Sequence, residues 1–331
     1  MLNLLRRCEV RFKRFCDRAQ YNPTQYGNTM TNKFPTKVKL VEVGPRDGLQ
    51  NESKFVPTDI KIDFINQLSQ TGLPMIEATS FVSEKWVPQM SDHSTVMQQI
   101  IRHPKVIYSA LVPNVQGFEN AALSKVGCVA VFTTTSETFA KKNTHCNLKD
   151  SVNRALEIIQ LAKHKNIPTR AYISCAWHCP YEGKTYDTTL QNITHSLASA
   201  GADEIIISDT IGKATAAEVH ARLKALNQNI PTHKLGVHFH DTYGQGVANI
   251  YASLELGISI IDASVSGLGG CPYAPGAGGN VATEDVLYLL DEMNIATGVN
   301  MQKLIQAGEF INQYLQRTNG SKVAKALRAL K

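Results

Sequence analysis

The 331-residue chain is 43% hydrophobic and 19% charged, with 22 glycines and 13 prolines, a globular composition that excludes disordered and collagen-like classes. It contains no run of about 18 uninterrupted apolar residues, so no membrane-spanning helix is expected. The formal net charge of +6 lies wholly within residues 1–37, where eight Arg and Lys face only Glu9 and Asp17; the neutral remainder offers no broad basic face for phosphate backbones, so nucleic acid is not an expected partner.

In residues 1–18, Leu4, Leu5, Cys8, Phe12, Phe15 and Cys16 share one side of a helical wheel and six basic residues the other. This basic amphipathic pattern has two readings. It is an organelle transit peptide, against which Glu9 and Asp17 count, or a dispensable extension or upstream-start artefact ahead of Met30. Residues 1–37 are therefore set apart from a body spanning 38–331. The seven cysteines, an odd number without a secretory signal, are expected to be reduced. Cys8, Cys16, Cys128 and Cys146 read as buried or incidental thiols. Cys175 and Cys179, spaced C-x-x-x-C, do not match a zinc knuckle and read as structural.

From residue 38 a β-branched run followed by a helical stretch recurs about every 30 residues. The eight runs are VKLVEV, PMIEATSF, KVIYSALV, CVAVFTTTS, TRAYISC, EIIISDT, KLGVHFHD and IIDASVSGLGG. Apolar residues at helical spacing fill 58–71, 151–163, 215–226 and 245–256. Eight such units without a composition break predict an α/β fold, a single (β/α)8 TIM barrel closed by C-terminal helices. The alternative, a doubly wound open sheet, calls for a glycine-rich nucleotide loop after its first strand. Here that position holds Gly44-Pro45-Arg46-Asp47-Gly48. In a (β/α)8 barrel the chemistry sits at the C-terminal ends of the strands.

At that end of the seventh run stand His238 and His240. Alternate residues of a strand project to one side, so the two imidazoles can reach one ion together. His93, His178 and the other histidines lack such a partner and read as ordinary core or surface groups. Asp47 ends the first run, two strands away across the barrel closure, and can add a carboxylate. Asn280, after the eighth run, can add an amide oxygen. Two imidazoles, a carboxylate and an amide oxygen suit a divalent ion that keeps open positions, Mg²⁺ or Mn²⁺ first, with Zn²⁺ or Co²⁺ as alternatives. Arg46 can hold a carboxylate or stabilise an enolate oxygen; its structural alternative is a salt bridge to Asp47 or Glu77. Glu77, a charge inside an apolar run, is expected to face the barrel interior with Arg46 as partner. The glycine-dense stretch 267–280 permits a mobile lid, and Cys271 at its centre can exchange a proton.

These residues lie in motifs that occur together: VEVGPRDGLQNE, ATSFVSEKWVPQMSD, SCAWHCPYEG, SDTIG, HFHDTYGQ and GLGGCPYAPGAGGN. From about Lys37 to Leu327 the chain closely resembles the 3-hydroxy-3-methylglutaryl-CoA lyase family. The resemblance implies a metal-dependent retro-Claisen cleavage of 3-hydroxy-3-methylglutaryl-CoA to acetyl-CoA and acetoacetate, a step of leucine degradation and ketone-body formation. It implies metal ligation by Asp47, His238, His240 and Asn280, and catalytic roles for Arg46, Asp47, His238 and Cys271. Arg46 would stabilise the enolate, Cys271 would exchange the proton at the methyl carbon, and Asp47 or His238 would take the hydroxyl proton. Glu77, Tyr172 and Asp209 match positions that shape the substrate pocket. An acyl-CoA partner and a homodimer follow from the resemblance alone.

Trp177-His178 is bulkier than the pair expected between Cys175 and Cys179, which leaves the packing of that loop open. The C-terminus is not a peroxisomal tripeptide. The ending NGSKVAKAL resembles bacterial members, which favours a cytoplasmic protein over a mitochondrial-matrix one. Two competing readings are a condensing acyl-CoA synthase or aldolase of the same superfamily, usually longer at the C-terminus, and a non-catalytic metal- or CoA-binding scaffold. Loss of Arg46, His238 or Cys271 would mark the scaffold; all three are present.

Overall fold

The structure, a computed structural model, describes residues 34–270 and 278–329. The amphipathic segment with Cys8 and Cys16, and the expected proton donor Cys271, lie outside the described residues. Eight parallel strands close into a barrel: β1 (Lys39–Glu42), β2 (Met75–Ser80), β3 (Ile107–Leu111), β4 (Cys128–Thr134), β5 (Thr169–Ser174), β6 (Glu204–Asp209), β7 (Leu235–Phe239) and β8 (Ile260–Ala263). Each falls inside one of the eight runs read from the sequence. Closure is made by β1 against β8, with Lys39 opposite Ile260 and Glu42 opposite Ala263. The closed sheet rules out the doubly wound alternative.

The strands alternate between two apolar environments, as the period of two demands. In β6, Ile205 and Ile207 join the large core beneath the helices, whereas Ile206 joins Leu111, Ala130, Tyr172 and Ile260 inside the barrel. The covering helices are α1 (Thr58–Ser69), α2 (His93–Gln99), α3 (Val115–Leu123), α4 (Glu137–Thr144), α5 (Leu148–His164), α6 (Asp187–Ala200), α7 (Ala216–Leu226) and α8 (Gly246–Leu254). After β8 follow α9 (Thr283–Glu292), α10 (Met301–Leu315) and α11 (Lys322–Ala329). Side-chain caps fix several starts: Asn114 accepts from Gly117 N, Ser136 from Phe139 N and Asn147 from Asp150 N, each satisfying an amide that the first helical turn leaves unpaired. Thr215 and Glu218 form a reciprocal capping box on α7. Among the described residues no helix is long and apolar enough to cross a membrane.

Two local features depart from the sequence reading. The loop after β5 holds a two-stranded hairpin, His178–Cys179 against Gly183–Lys184. The eighth run does not continue as a strand: β8 stops at Ala263, and Val265–Gly267 makes a single tight turn in which Ser266 takes a left-handed conformation (φ 59°). Glu42 takes up the Val265 amide that a longer strand would have paired.

Candidate active site

The site begins where β1 ends. The amides of Arg46, Asp47 and Gly48 converge on the carbonyl of Val43 at 3.2, 2.8 and 3.1 Å, closing Gly44–Gly48 into a wide, π-type turn. The glycines are required by crowding, since a Cβ on Gly44 would lie 2.6 Å from Glu42 Oε1. Glu42 itself is buried and accepts from Gly44 N, Val265 N and Thr283 Oγ1. Burial pushes its carboxyl up to about 7, against the pull of those hydrogen bonds. One carboxylate thus ties β1, its turn, the β8 exit and the start of α9 together.

The turn sends Arg46 and Asp47 into the barrel mouth. Arg46 Nε donates to Glu77 Oε2 at 2.6 Å and Nη1 to Asp47 Oδ1 at 2.7 Å, so both salt bridges offered as structural alternatives form together. Its Nη2 donates to no described residue. Burial alone would weaken the guanidinium's hold on its proton, but Glu77 and Asp47 more than reverse this. Glu77 is fully buried in β2, as its isolated charge suggested. Burial raises its carboxyl and Arg46 pulls it back.

Asp47 Oδ2 lies 3.9 Å from His238 Nε2 and 3.9 Å from His240 Nε2. One ligand atom from each of the three residues falls within 4.8 Å of the others, a spacing that one cation at the centre satisfies. The donors are a carboxylate oxygen and two imidazole nitrogens with no thiolate, the set expected for Mg²⁺, Mn²⁺ or a similar divalent ion. Burial would raise the Asp47 carboxyl, yet Arg46 and the two imidazoles hold it well below its usual range. His238 moves the other way: burial lowers it, while Asp262 and Asp47 raise it above the ordinary histidine value.

Asn280 borders this cluster. Its Nδ2 donates to Asp47 Oδ2 at 2.8 Å and to Leu268 O at 3.1 Å, and its buried Oδ1 has no partner among the described residues. In this orientation the amide presents a donor to the shared oxygen. A ligand role requires the amide reversed, which places two oxygens side by side and is favourable only with a cation between them. Asn280 is held by Gly279, where a Cβ would collide with the carbonyls of Gly267 and Gly269. The described edges of the glycine stretch also border the site, Asn51 Nδ2 donating to Gly270 O at 2.9 Å.

Above the triad opens a cavity of about 750 Å³, with Arg46, Asp47, Tyr172, His238 and His240 on its floor and Trp86 at its rim. Its size suits a small organic ligand rather than an ion alone. A sequence model of the HMGL-like family matches residues 37–311. The chain belongs to the HMGL-like family. Over 305 residues it is 50% identical to the cytoplasmic 3-hydroxy-3-methylglutaryl-CoA lyase of Rattus norvegicus, covering 92% of this chain and 89% of that one. Over 293 residues it is 51% identical to the mitochondrial hydroxymethylglutaryl-CoA lyase of Bos taurus, covering 88% and 90%. The crystal structure of hydroxymethylglutaryl-CoA lyase from Pseudomonas aeruginosa superposes with a TM-score of 0.88 at 48% identity, covering 90% of this chain and all of that one.

The remaining expected residues of this HMGL-like barrel take distinct places. Tyr172 lines the cavity and meets His238 edge-on, with ring centroids 6.0 Å apart. Asp209 is buried at the end of β6 and accepts from Ala214 N, its Oδ1 left without a partner; its neighbours Ser208 and Thr210 line the cavity. Trp177 is accommodated by burial against Phe239, centroids 5.7 Å apart, with its indole N–H on Glu218 O. His178 sits 3.9 Å from Glu218, and His93 packs on Phe81. Cys128, Cys146, Cys175 and Cys179 are free thiols, as reduced cysteines should be.

Sequence reasoning missed Arg170 and Asp262. Both are buried inside the barrel, where Arg170 Nη2 donates to Asp262 Oδ1 at 2.6 Å and Tyr172 donates to Asp262 Oδ2 at 2.7 Å. Burial would raise Asp262, but Arg170 and His238 bring it down to about 2. The signal that found Glu77, a charge inside an apolar strand run, is equally present in TRAYISC and IIDAS.

Proposed function

We propose that this chain is a divalent-metal-dependent carbon–carbon lyase that cleaves 3-hydroxy-3-methylglutaryl-CoA to acetyl-CoA and acetoacetate, serving leucine degradation and ketone-body formation. The observation that carries the reading is the convergence of Asp47 Oδ2 with both imidazole Nε2 atoms at 3.9 Å, beside a buried guanidinium whose Nη2 donates to no described residue. Asp47, His238 and His240 would hold the ion, with Asn280 as fourth ligand, and Mg²⁺ or Mn²⁺ suits this donor set. When bound, such an ion supplies Lewis-acid polarisation of substrate oxygens.

The protein's own groups account for the proton and charge movements. On the cavity floor Asp47 takes the proton of the tertiary hydroxyl, with His238 beside it held as a ligand. The alkoxide collapses to the ketone of acetoacetate, the carbon–carbon bond breaks, and its electron pair passes to the enolate of acetyl-CoA. Arg46, fixed by Glu77 and Asp47, aims its free Nη2 at that developing negative charge, the type of preorganised stabilisation that acts on the transition state. Cys271 would give its thiol proton to the enolate carbon and be restored by the proton taken from the hydroxyl. Tyr172 forms one wall; Glu77 acts through Arg46, and Asp209 steadies the loop after β6.

We read the catalytic body as residues 38–331, working as a homodimer in the cytoplasm, with the basic extension 1–37 as an optional leader; a matrix location is the alternative. Sedimentation of the purified protein tests the dimer and fractionation the location. A condensing synthase of the same superfamily is separated by assay direction, and a scaffold by the absence of turnover. Acetoacetate release from 3-hydroxy-3-methylglutaryl-CoA tests the whole reading.

A further inference from the structure

The two metal-site imidazoles are not equivalent. Neither ring's Nδ1 makes a hydrogen bond to a described residue. They differ in what they face: His238 Nδ1 lies 3.4 Å from Asp262 Oδ2, and the two residues are paired across β7 and β8. The contact is long and imperfectly aligned, as contacts of catalytic groups often are before ligands bind. Asp262 cannot turn away, because both its oxygens are held, one by Arg170 and the other by the Tyr172 hydroxyl. Arg170 is fixed in turn: Nε donates to Glu204 Oε2 at 2.8 Å and Nη1 reaches Tyr172 OH at 3.0 Å. Lys39 closes the series on Glu204 Oε1 at 2.6 Å. Charges thus alternate through the barrel interior, Lys39, Glu204, Arg170, Asp262, ending against the back of one metal-site histidine.

We infer that Asp262, clamped by Arg170 and Tyr172, is a positioning residue that keeps the proton of neutral His238 on Nδ1 and so presents the Nε2 lone pair to the ion. The inference rests on the metal reading above. A neutral imidazole has one donor and one acceptor nitrogen. A carboxylate behind Nδ1 selects the tautomer with the acceptor at Nε2 and fixes the plane of the ring. His240 lacks this backing, so its ring orientation relies on the ion and on packing alone. The arrangement also explains a buried Arg–Asp pair in the barrel core, where well-packed apolar side chains would serve stability as well.

The test measures Mn²⁺ binding, without substrate, to wild type and to Asp262→Asn. Removing one charge leaves Arg170 under-compensated, so a second variant, Arg170→Gln/Asp262→Asn, removes both while Glu204 keeps Lys39. Folded variants should bind Mn²⁺ about 10–100-fold more weakly than wild type. Affinity within threefold overturns the inference. Wild type that binds no Mn²⁺ overturns the metal reading and the inference with it. Independent of any variant's folding, imidazole ¹⁵N spectra of the metal-free wild-type protein at alkaline pH, assigned with His238→Gln, should show His238 protonated at Nδ1. An Nε2-protonated His238 overturns the inference whatever the variants do.

Discussion

Arg46 and Glu77 meet at 2.6 Å beneath the cavity floor, joining the turn after β1 to the interior of β2. The pair fixes the guanidinium plane while sparing Nη2, so its worth lies in aiming a charge more than in stability. Arg46→Gln should lower kcat by at least about 10²–10³-fold, the range seen when one preorganised donor to a developing oxyanion is lost. Mn²⁺ affinity should stay within threefold. Steady-state kinetics beside a metal titration checks this, and wild-type turnover in the variant would remove Arg46 from the chemistry.

Asp47 Oδ2 faces both imidazoles, so Asp47→Asn removes the only charge-bearing ligand of the triad. Metal content after gel filtration should fall from near stoichiometric to background, and activity with it. Retention of the ion would show that the histidines and Asn280 suffice.

Glu42 and Glu284 are buried carboxyls raised by desolvation to about 7 and about 8. Their folded pKa values exceed the unfolded one, so their stabilising contribution is complete below about pH 4.5 and is lost as pH rises through 7 and 8. His238, also raised, acts in the same direction; Asp47 and Asp262, lowered, stay ionised across this window. Melting temperature should therefore fall from about pH 4.5 to about pH 8 and level off above it. Glu284→Gln, which cannot ionise, should flatten the fall, reducing the loss of unfolding free energy across the window by an amount on the order of a few kcal/mol. An equally steep profile in the variant would place the linkage elsewhere.

Gly279 lies where any Cβ meets two backbone carbonyls, those of Gly267 and Gly269, neither of which can rotate aside. Gly279→Ala should displace Asn280, weakening Mn²⁺ binding and lowering kcat at least tenfold in a protein with a native circular-dichroism spectrum. An unperturbed variant would mean that the glycine stretch yields more easily than its contacts suggest.

Much of this was legible in the sequence because barrel strands are short β-branched runs and their register is fixed by packing on both faces. The i, i+2 spacing of His238 and His240 and the arginine-aspartate turn identified the floor of the site. The isolated charge of Glu77 predicted its partner correctly. The same pattern at Arg170 and Asp262 passed unread, because their partners come from β5, β6 and β8, and no local spacing reveals which charges meet across a closed barrel. The end of β8 was overextended for a related reason: Val265 N leaves the sheet to meet Glu42, more than 200 positions away. Asp209 illustrates a third limit. Only the resemblance brought it to the pocket, and no strand spacing foretold that its carboxylate accepts from the Ala214 amide.

The most direct test of the account is acetoacetate release from 3-hydroxy-3-methylglutaryl-CoA by the purified protein, after chelation and after adding back Mn²⁺ or Mg²⁺. The account predicts no cleavage in chelator and full cleavage on metal return, with acetyl-CoA formed in equal amount. A folded protein that binds the metal and leaves this substrate intact would contradict it.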